Sequence, residues 1–251
     1  MAKMISIHSF LGGTGKSNTT ANLTVLLAAM GKRVAVVDTD IQSPGIHVLF
    51  GLEESEMNKS LNDYLWGDCG IEDAVYDVTK SLDKDLAGKV FLVPASIKAG
   101  EIARILREGY DVGMLSDGFW DLIDALKLDV LMVDTHPGLN EETLLSIAIS
   151  DSLIIVLRPD QQDYQGTSVT VEVARKLDVP DMMLVVNKLP QVYDAEEVHD
   201  SVEKTYDCDV AAVLPHSDSM MALGSSGIFA LQYPNHPITK RLLSMTSRLL
   251  A

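Results

Sequence analysis

Three short stretches carry residue types whose spacing suits phosphate chemistry. The first is Leu11-Gly12-Gly13-Thr14-Gly15-Lys16-Ser17, followed by Asn18-Thr19-Thr20. Glycines without Cβ atoms let backbone N–H groups converge on phosphate oxygens. A helix opening at Lys16 would aim its partial positive charge at the same point. Lys16 is expected to reach the β- and γ-phosphates of a nucleotide, and the Ser17 hydroxyl to ligate Mg²⁺. Gly12, Gly13, Thr14, Gly15 and Asn18 complete the candidate binding loop. Phe10 occupies the position of the first glycine in the usual G-x-x-x-x-G-K-S pattern, so the simple motif is not met.

The other two stretches end apolar runs in acid. Val36-Val37 leads into Asp38-Thr39-Asp40-Ile41-Gln42, and Val133 leads into Asp134-Thr135-His136-Pro137-Gly138. Asp134, an acid after four apolar positions, has the form of a residue that holds Mg²⁺ directly or through water. Asp38 and Asp40 stand two apart on an extended segment and share a face. One would orient an attacking water while the other supports the metal shell. The backbone N–H of Gly138 would point at a γ-phosphate. Taken alone, either acidic motif has a competing reading as a helix cap or a solvated loop. With Lys16 and Ser17 beside them, the catalytic set is Lys16, Asp38 and Asp40, and the metal set is Ser17, Asp38 and Asp134.

Such a site needs a scaffold that brings strand ends together. Apolar, β-branched runs at Met4–Ser9, Arg33–Val37, Val90–Val93, Asp129–Val133, Ser152–Leu157 and Met182–Val186, with a weaker one at Asp209–Val213, predict strands. Helical patterns at Lys16–Met30, Glu101–Glu108, Phe119–Leu126, Glu141–Ile149, Gly166–Leu177, Ala195–Thr205 and Ile238–Leu250 lie between them. This alternation predicts a doubly wound α/β domain: a mostly parallel sheet with helices on both faces. Residues 51–89 show no clear pattern and are expected to be small helices and loops. The whole chain, 1–251, reads as one domain. In such a sheet, ligands collect at the C-terminal strand ends, so both acidic motifs would face the glycine-rich loop.

The bulk numbers agree. The chain has 251 residues, 47% hydrophobic and 22% charged, a globular composition. Two cysteines, Cys69 and Cys208, are too few and too far apart for a disulfide framework or a paired metal site. The start lacks the apolar core of a signal peptide, and no apolar run approaches a membrane span, so a soluble cytoplasmic protein is expected. A net charge of -16 disfavours nucleic acid as a partner.

The three motifs, in their order and spacing, resemble the deviant-Walker-A ATPases of the ParA/MinD superfamily, and the likeness runs almost the full chain. Asp38-Thr39-Asp40-Ile41-Gln42 resembles the D-x-D-P-Q switch I, in which the second aspartate serves hydrolysis, a role the resemblance gives to Asp40. Asp134-Thr135-His136-Pro137-Gly138 resembles the D-x-P-x-G switch II. Asn187 matches the asparagine that reads adenine, and Pro215 in Leu214-Pro215-His216-Ser217-Asp218 falls in the segment that flanks the base. Membership implies ATP and ADP as ligands with Mg²⁺, an ATP-dependent homodimer, weak ATPase activity stimulated by a partner, and the positioning of an intracellular cargo through an adaptor protein.

One departure stands out. The family's signature lysine, which reaches the other subunit's phosphates, is Leu11 here, and leucine donates no hydrogen bond. As in members of the McdA type, another cation would substitute: Arg158 first, then Lys98. Without one, the chain would bind ATP and turn it over slowly or not at all. A small-molecule ligase of the same fold is a weaker alternative, since no substrate pocket is marked. The basic, amphipathic C-terminal helix is expected to pack on the sheet rather than touch membrane or DNA. His136 is expected to be a loop residue without a catalytic role, and Met182, Met183, Met220 and Met221 to fill the core.

Overall fold

A computed structural model describes residues 2–82 and 85–250 of the chain. In chain order the elements are β1 (Lys3–His8), α1 (Lys16–Ala29), β2 (Arg33–Asp38), α2 (Ile46–Leu49), α3 (Leu61–Leu65), β3 (Tyr76–Asp77), β4 (Lys89–Val93), α4 (Ala99–Glu108), α5 (Gly113–Leu126) and β5 (Val130–Asp134). There follow α6 (Glu141–Ala148), β6 (Ser152–Leu157), α7 (Gln161–Lys176), β7 (Asp181–Leu189), α8 (Ala195–Tyr206), β8 (Asp209–Pro215), α9 (Asp218–Leu223), α10 (Phe229–Gln232) and α11 (Pro237–Leu249). One eight-stranded sheet runs in the order β3-β4-β2-β5-β1-β6-β7-β8. All pairs are parallel except antiparallel β3 at one edge.

Strand alternation divides the core between the two faces. Ile5, Ile7, Val34, Val36 and Met132 point into one layer with Leu23 and Leu27 of α1 and Leu242 and Met245 of α11. Their neighbours Met4, Ala35, Val37, Leu131 and Val133 point the other way, against Phe119 and Leu122 of α5. On that second face, Leu153 and Ile155 of β6 continue a layer with Val171 and Ala174 of α7. Both faces are covered, which is why these strands are apolar without alternation in sequence.

All seven predicted strands and all seven predicted helices form, with shifted ends. Helix α5 begins at Gly113 rather than Phe119, and α7 at Gln161 rather than Gly166. In α7 the signal lies in its cap: the Asp160 side chain accepts the N–H groups of Gln162 and Asp163. The segment 51–89 holds α3, short 3-10 turns and the two-residue β3, too brief for periodicity to reveal; residues 83–84 lie outside the described residues. The C-terminal helix packs as expected. Ile238, Leu242, Met245 and Leu249 are buried, and Arg248 pairs with Asp209. No helix among the described residues is long and apolar enough to cross a membrane.

Candidate nucleotide site

The loop between β1 and α1 gathers the first motif. Gly13 at φ 76° and Gly15 at φ 99° take left-handed conformations that side-chain-bearing residues rarely adopt. Gly15 caps α1 with no side-chain acceptor, and the first turn carries no acidic residue, so its N–H groups face outward with their charge uncompensated. The Ser9 hydroxyl donates to the Leu11 carbonyl at 2.9 Å and braces the turn. A cavity of about 290 Å³ opens here, lined by Ser9, Gly12 to Asn18, Asp40, Pro137 and Lys188. Thr14 Oγ1 is buried with no hydrogen-bond partner among the described residues. A buried hydroxyl without a partner, converging amides and a buried lysine fit a polyphosphate.

The acids arrive through the sheet. In adjacent β2 and β5, Asp38 and Asp134 are register partners. Thr39 ties the two ends together, donating its N–H and its hydroxyl to the Asp134 carbonyl at 3.0 and 3.1 Å. The Asp134 carboxylate accepts the Thr20 hydroxyl at 2.9 Å and faces Lys16 Nζ at 3.7 Å. Among the described residues no ready-made cluster of three or more metal-binding side chains exists. Mg²⁺ keeps several waters and takes one or two protein oxygens plus phosphate. Asp134 and Ser17 offer those hard oxygens.

Asp38 is buried behind this pair, accepting the N–H groups of Asp40 and Gly45 at 3.1 and 3.3 Å. Burial, and then the charges of Asp134 and Asp40, push its carboxyl up from 3.8 to about 8. Unfolding lets Asp38 ionise above pH 3.8, while the folded chain keeps the proton up to about 8. Stability of the nucleotide-free protein therefore falls as pH rises through that window. Asp38→Asn should melt above the parent at pH 8.5, with the gain vanishing near pH 4; a gain independent of pH would contradict this.

Two groups beside the loop were not legible as site residues. His8, whose pKa burial lowers to about 3, is neutral. Because the Thr135 hydroxyl donates to the Ile7 carbonyl, it accepts from His8 Nδ1–H at 2.8 Å, leaving Nε2 a buried acceptor without a partner among the described residues. Phe10, in place of the usual glycine, lies against Gly166 of α7, where an added Cβ would meet the ring at 2.2 Å. Gly166→Ala should displace Phe10 at a cost of about 1–3 kcal/mol and weaken nucleotide binding. A variant with unchanged melting and binding would refute that coupling.

At the other end of the loop, Asn187 Nδ2 donates to the Thr14 carbonyl at 2.8 Å, and Asn187 Oδ1 accepts Lys188 N–H at 2.9 Å. Asn187 thus buttresses the phosphate loop. A second cavity of about 460 Å³, mostly apolar, is lined by Asn18, Asn187, Pro215, Met220 and Met221 among others. Met183 is core as expected, but Met221 is 66% exposed and helps wall this cavity. Lys188 touches both cavities and donates Nζ to the Gly13 carbonyl at 2.7 Å. It follows Asn187 directly, and only the fold places it at the loop between β1 and α1.

Four more of the expected positions are engaged within the chain. Gly138 N–H donates to the Ser9 carbonyl at 3.2 Å, so it faces the loop backbone and not an open phosphate position. Arg158 does not line the cavity: its Nε is held by Asp163 at 2.7 Å and Asp160 at 3.3 Å. Lys98 pairs with Glu101 at 3.1 Å. His136 Nδ1 lies 2.6 Å from Asp40 Oδ1.

Comparison with known proteins bears on family and fold. Residues 2–181 match a family described as the AAA domain. The chain is 27% identical over 251 residues, all of it and 88% of the relative, to an uncharacterised ATP-binding protein of Methanocaldococcus jannaschii. It is 24% identical over 90% of its length, and 81% of the relative's, to the septum site-determining protein MinD of Bacillus subtilis. The solved MinD of Pyrococcus horikoshii, complexed with Mg-ADP, superposes with a TM-score of 0.82 at 24% identity, covering 99% of this chain and 96% of that one.

Proposed function

Because the chain belongs to this AAA-domain family, within the ParA/MinD superfamily of P-loop ATPases, we propose that it is an ATP-dependent switch. It binds ATP with Mg²⁺ at Gly12 to Asn18, dimerises on ATP, hydrolyses it slowly, and recruits or positions a partner complex through an adaptor. The observation that carries this reading is the 290 Å³ cavity, where outward amides, the buried Thr14 hydroxyl and Lys16 converge beside Asp134 and Asp40.

The residues divide the work. Amides of Gly13 to Ser17 and the Thr14 hydroxyl hold phosphate oxygens, and Lys16 turns from Asp134 to the β- and γ-phosphates. Ser17 and Asp134, with Asp38 behind them, hold Mg²⁺, whose charge would screen the phosphates. Asp40 orients the attacking water. The apolar cavity beside Asn187 and Pro215 takes the base. Lys188 stands at the phosphate cavity already, whereas Arg158 and Lys98 must leave their carboxylates before either reaches a second subunit's phosphates.

Light scattering with Mg²⁺ and either ATP or ADP tests the switch. Asp40→Ala should accumulate as an ATP-bound dimer and the parent should return to monomer as phosphate is released. A monomer under every condition would refute dimerisation. Leu11 favours a second reading, an ATP-binding module without turnover; a parent that dimerises on ATP but releases no phosphate would establish it.

A further inference from the structure

The pairing of β2 with β5 has an effect beyond the two strand-end acids. Register sets Asp38 opposite Asp134, and each chain then continues two residues further, to Asp40 and to His136. The result is a short contact, His136 Nδ1 to Asp40 Oδ1 at 2.6 Å, between two half-buried side chains from different loops. The same Oδ1 accepts the Ser43 N–H at 3.1 Å. Oδ2 has no hydrogen-bond partner among the described residues, and Asp40 lines the phosphate cavity. The backbone of His136 is itself fixed, its carbonyl accepting the Thr143 hydroxyl at 3.2 Å. One carboxylate oxygen is thus locked by two donors and the other is left for a ligand or water.

We propose that His136 is a positioning residue for hydrolysis: it holds Asp40 Oδ1 so that Oδ2 faces the water that attacks the γ-phosphate. This rests on the ATPase reading above. A carboxylate free to rotate spreads its population over unproductive orientations, and fixing a catalytic group in its working geometry lowers the barrier without strengthening substrate binding. Proline, which the D-x-P-x-G pattern has at position 136, offers no such donor, so the contact is a property of this chain's own switch.

The test is single-turnover phosphate release from bound ATP and Mg²⁺, with ATP and ADP affinities measured alongside. His136→Ala should lower the rate constant about 10- to 100-fold while leaving both affinities within about twofold. His136→Asn keeps an N–H near Nδ1 and should recover most of the rate. In an Asp40→Ala background, His136→Ala should have no further effect. A His136→Ala rate equal to the parent's, with the parent turning ATP over, overturns this proposal alone. Equal loss in the Asn and Ala variants, or loss of ADP affinity in step with the rate, also overturns it by assigning His136 a merely structural role. A parent that binds ATP and releases no phosphate overturns both this proposal and the hydrolytic reading.

Discussion

Lys16→Ala is expected to weaken ATP binding at least about a hundredfold, since charge-assisted hydrogen bonds to two phosphates are worth about 1.5–3 kcal/mol each. The side chain is buried, with 7% exposure, and its only carboxylate neighbour within 4 Å among the described residues is Asp134. Removing it has a second consequence. Lys16 is the cation that offsets the buried acids, and its charge lowers the pKa of Asp38 against the upward push of burial, Asp134 and Asp40. The nucleotide-free variant should therefore also melt below the parent. The two effects separate in Lys16→Ala/Asp38→Asn, which should regain much of the melting temperature and none of the ATP affinity. Recovery of both, or of neither, would show that the acids and the lysine are not coupled as their distances imply.

Gly15→Ala should have the next largest effect, because two independent features exclude a side chain there. The backbone at φ 99° disfavours any Cβ, and that Cβ would meet Asn187 Nδ2 at 2.3 Å. Asn187 cannot swing away freely, since its amide holds the Thr14 carbonyl and the Lys188 N–H. Strain of about 1–2 kcal/mol adds to about 1 kcal/mol for a broken hydrogen bond. In a chain of this size that lowers the melting temperature by about 4–12 °C. Nucleotide binding should be lost as well, because the same clash unseats the loop. Gly31→Ala is the control: φ is 86° but nothing lies within 4 Å of the added Cβ. It should lose stability and keep full affinity. If both variants bind ATP like the parent, Asn187 does not brace the loop.

Much of the scaffold was legible in sequence because it depends on local signals. Long apolar runs marked the seven parallel strands, from β1 to the edge strand β8. The two-residue β3, the short α9 and the extra turns of α5 and α7 were not, since they depend on caps and tertiary packing rather than periodicity. The site divides in the same way. Lys16, Asp38 and Asp134 were legible because strand–loop–helix context fixes where they point. The His136–Asp40 contact was not, because 96 residues separate its partners and only the β2–β5 register joins them. Lys188 was hidden for a similar reason. Its place at the phosphate loop follows from Asn187 reaching Thr14, a contact made across 173 residues. The Asp163 that holds Arg158 was hidden too, because a strand-end arginine carries no sign of it.

The most direct measurement is a calorimetric titration of the full chain with ATP in the presence and absence of Mg²⁺, repeated with Lys16→Ala. One ATP per chain, bound more tightly with Mg²⁺ and lost in the variant, is the predicted result. Absence of ATP binding by the parent, or equal binding by Lys16→Ala, would contradict the assignment of the Gly12-to-Asn18 cavity as the nucleotide site.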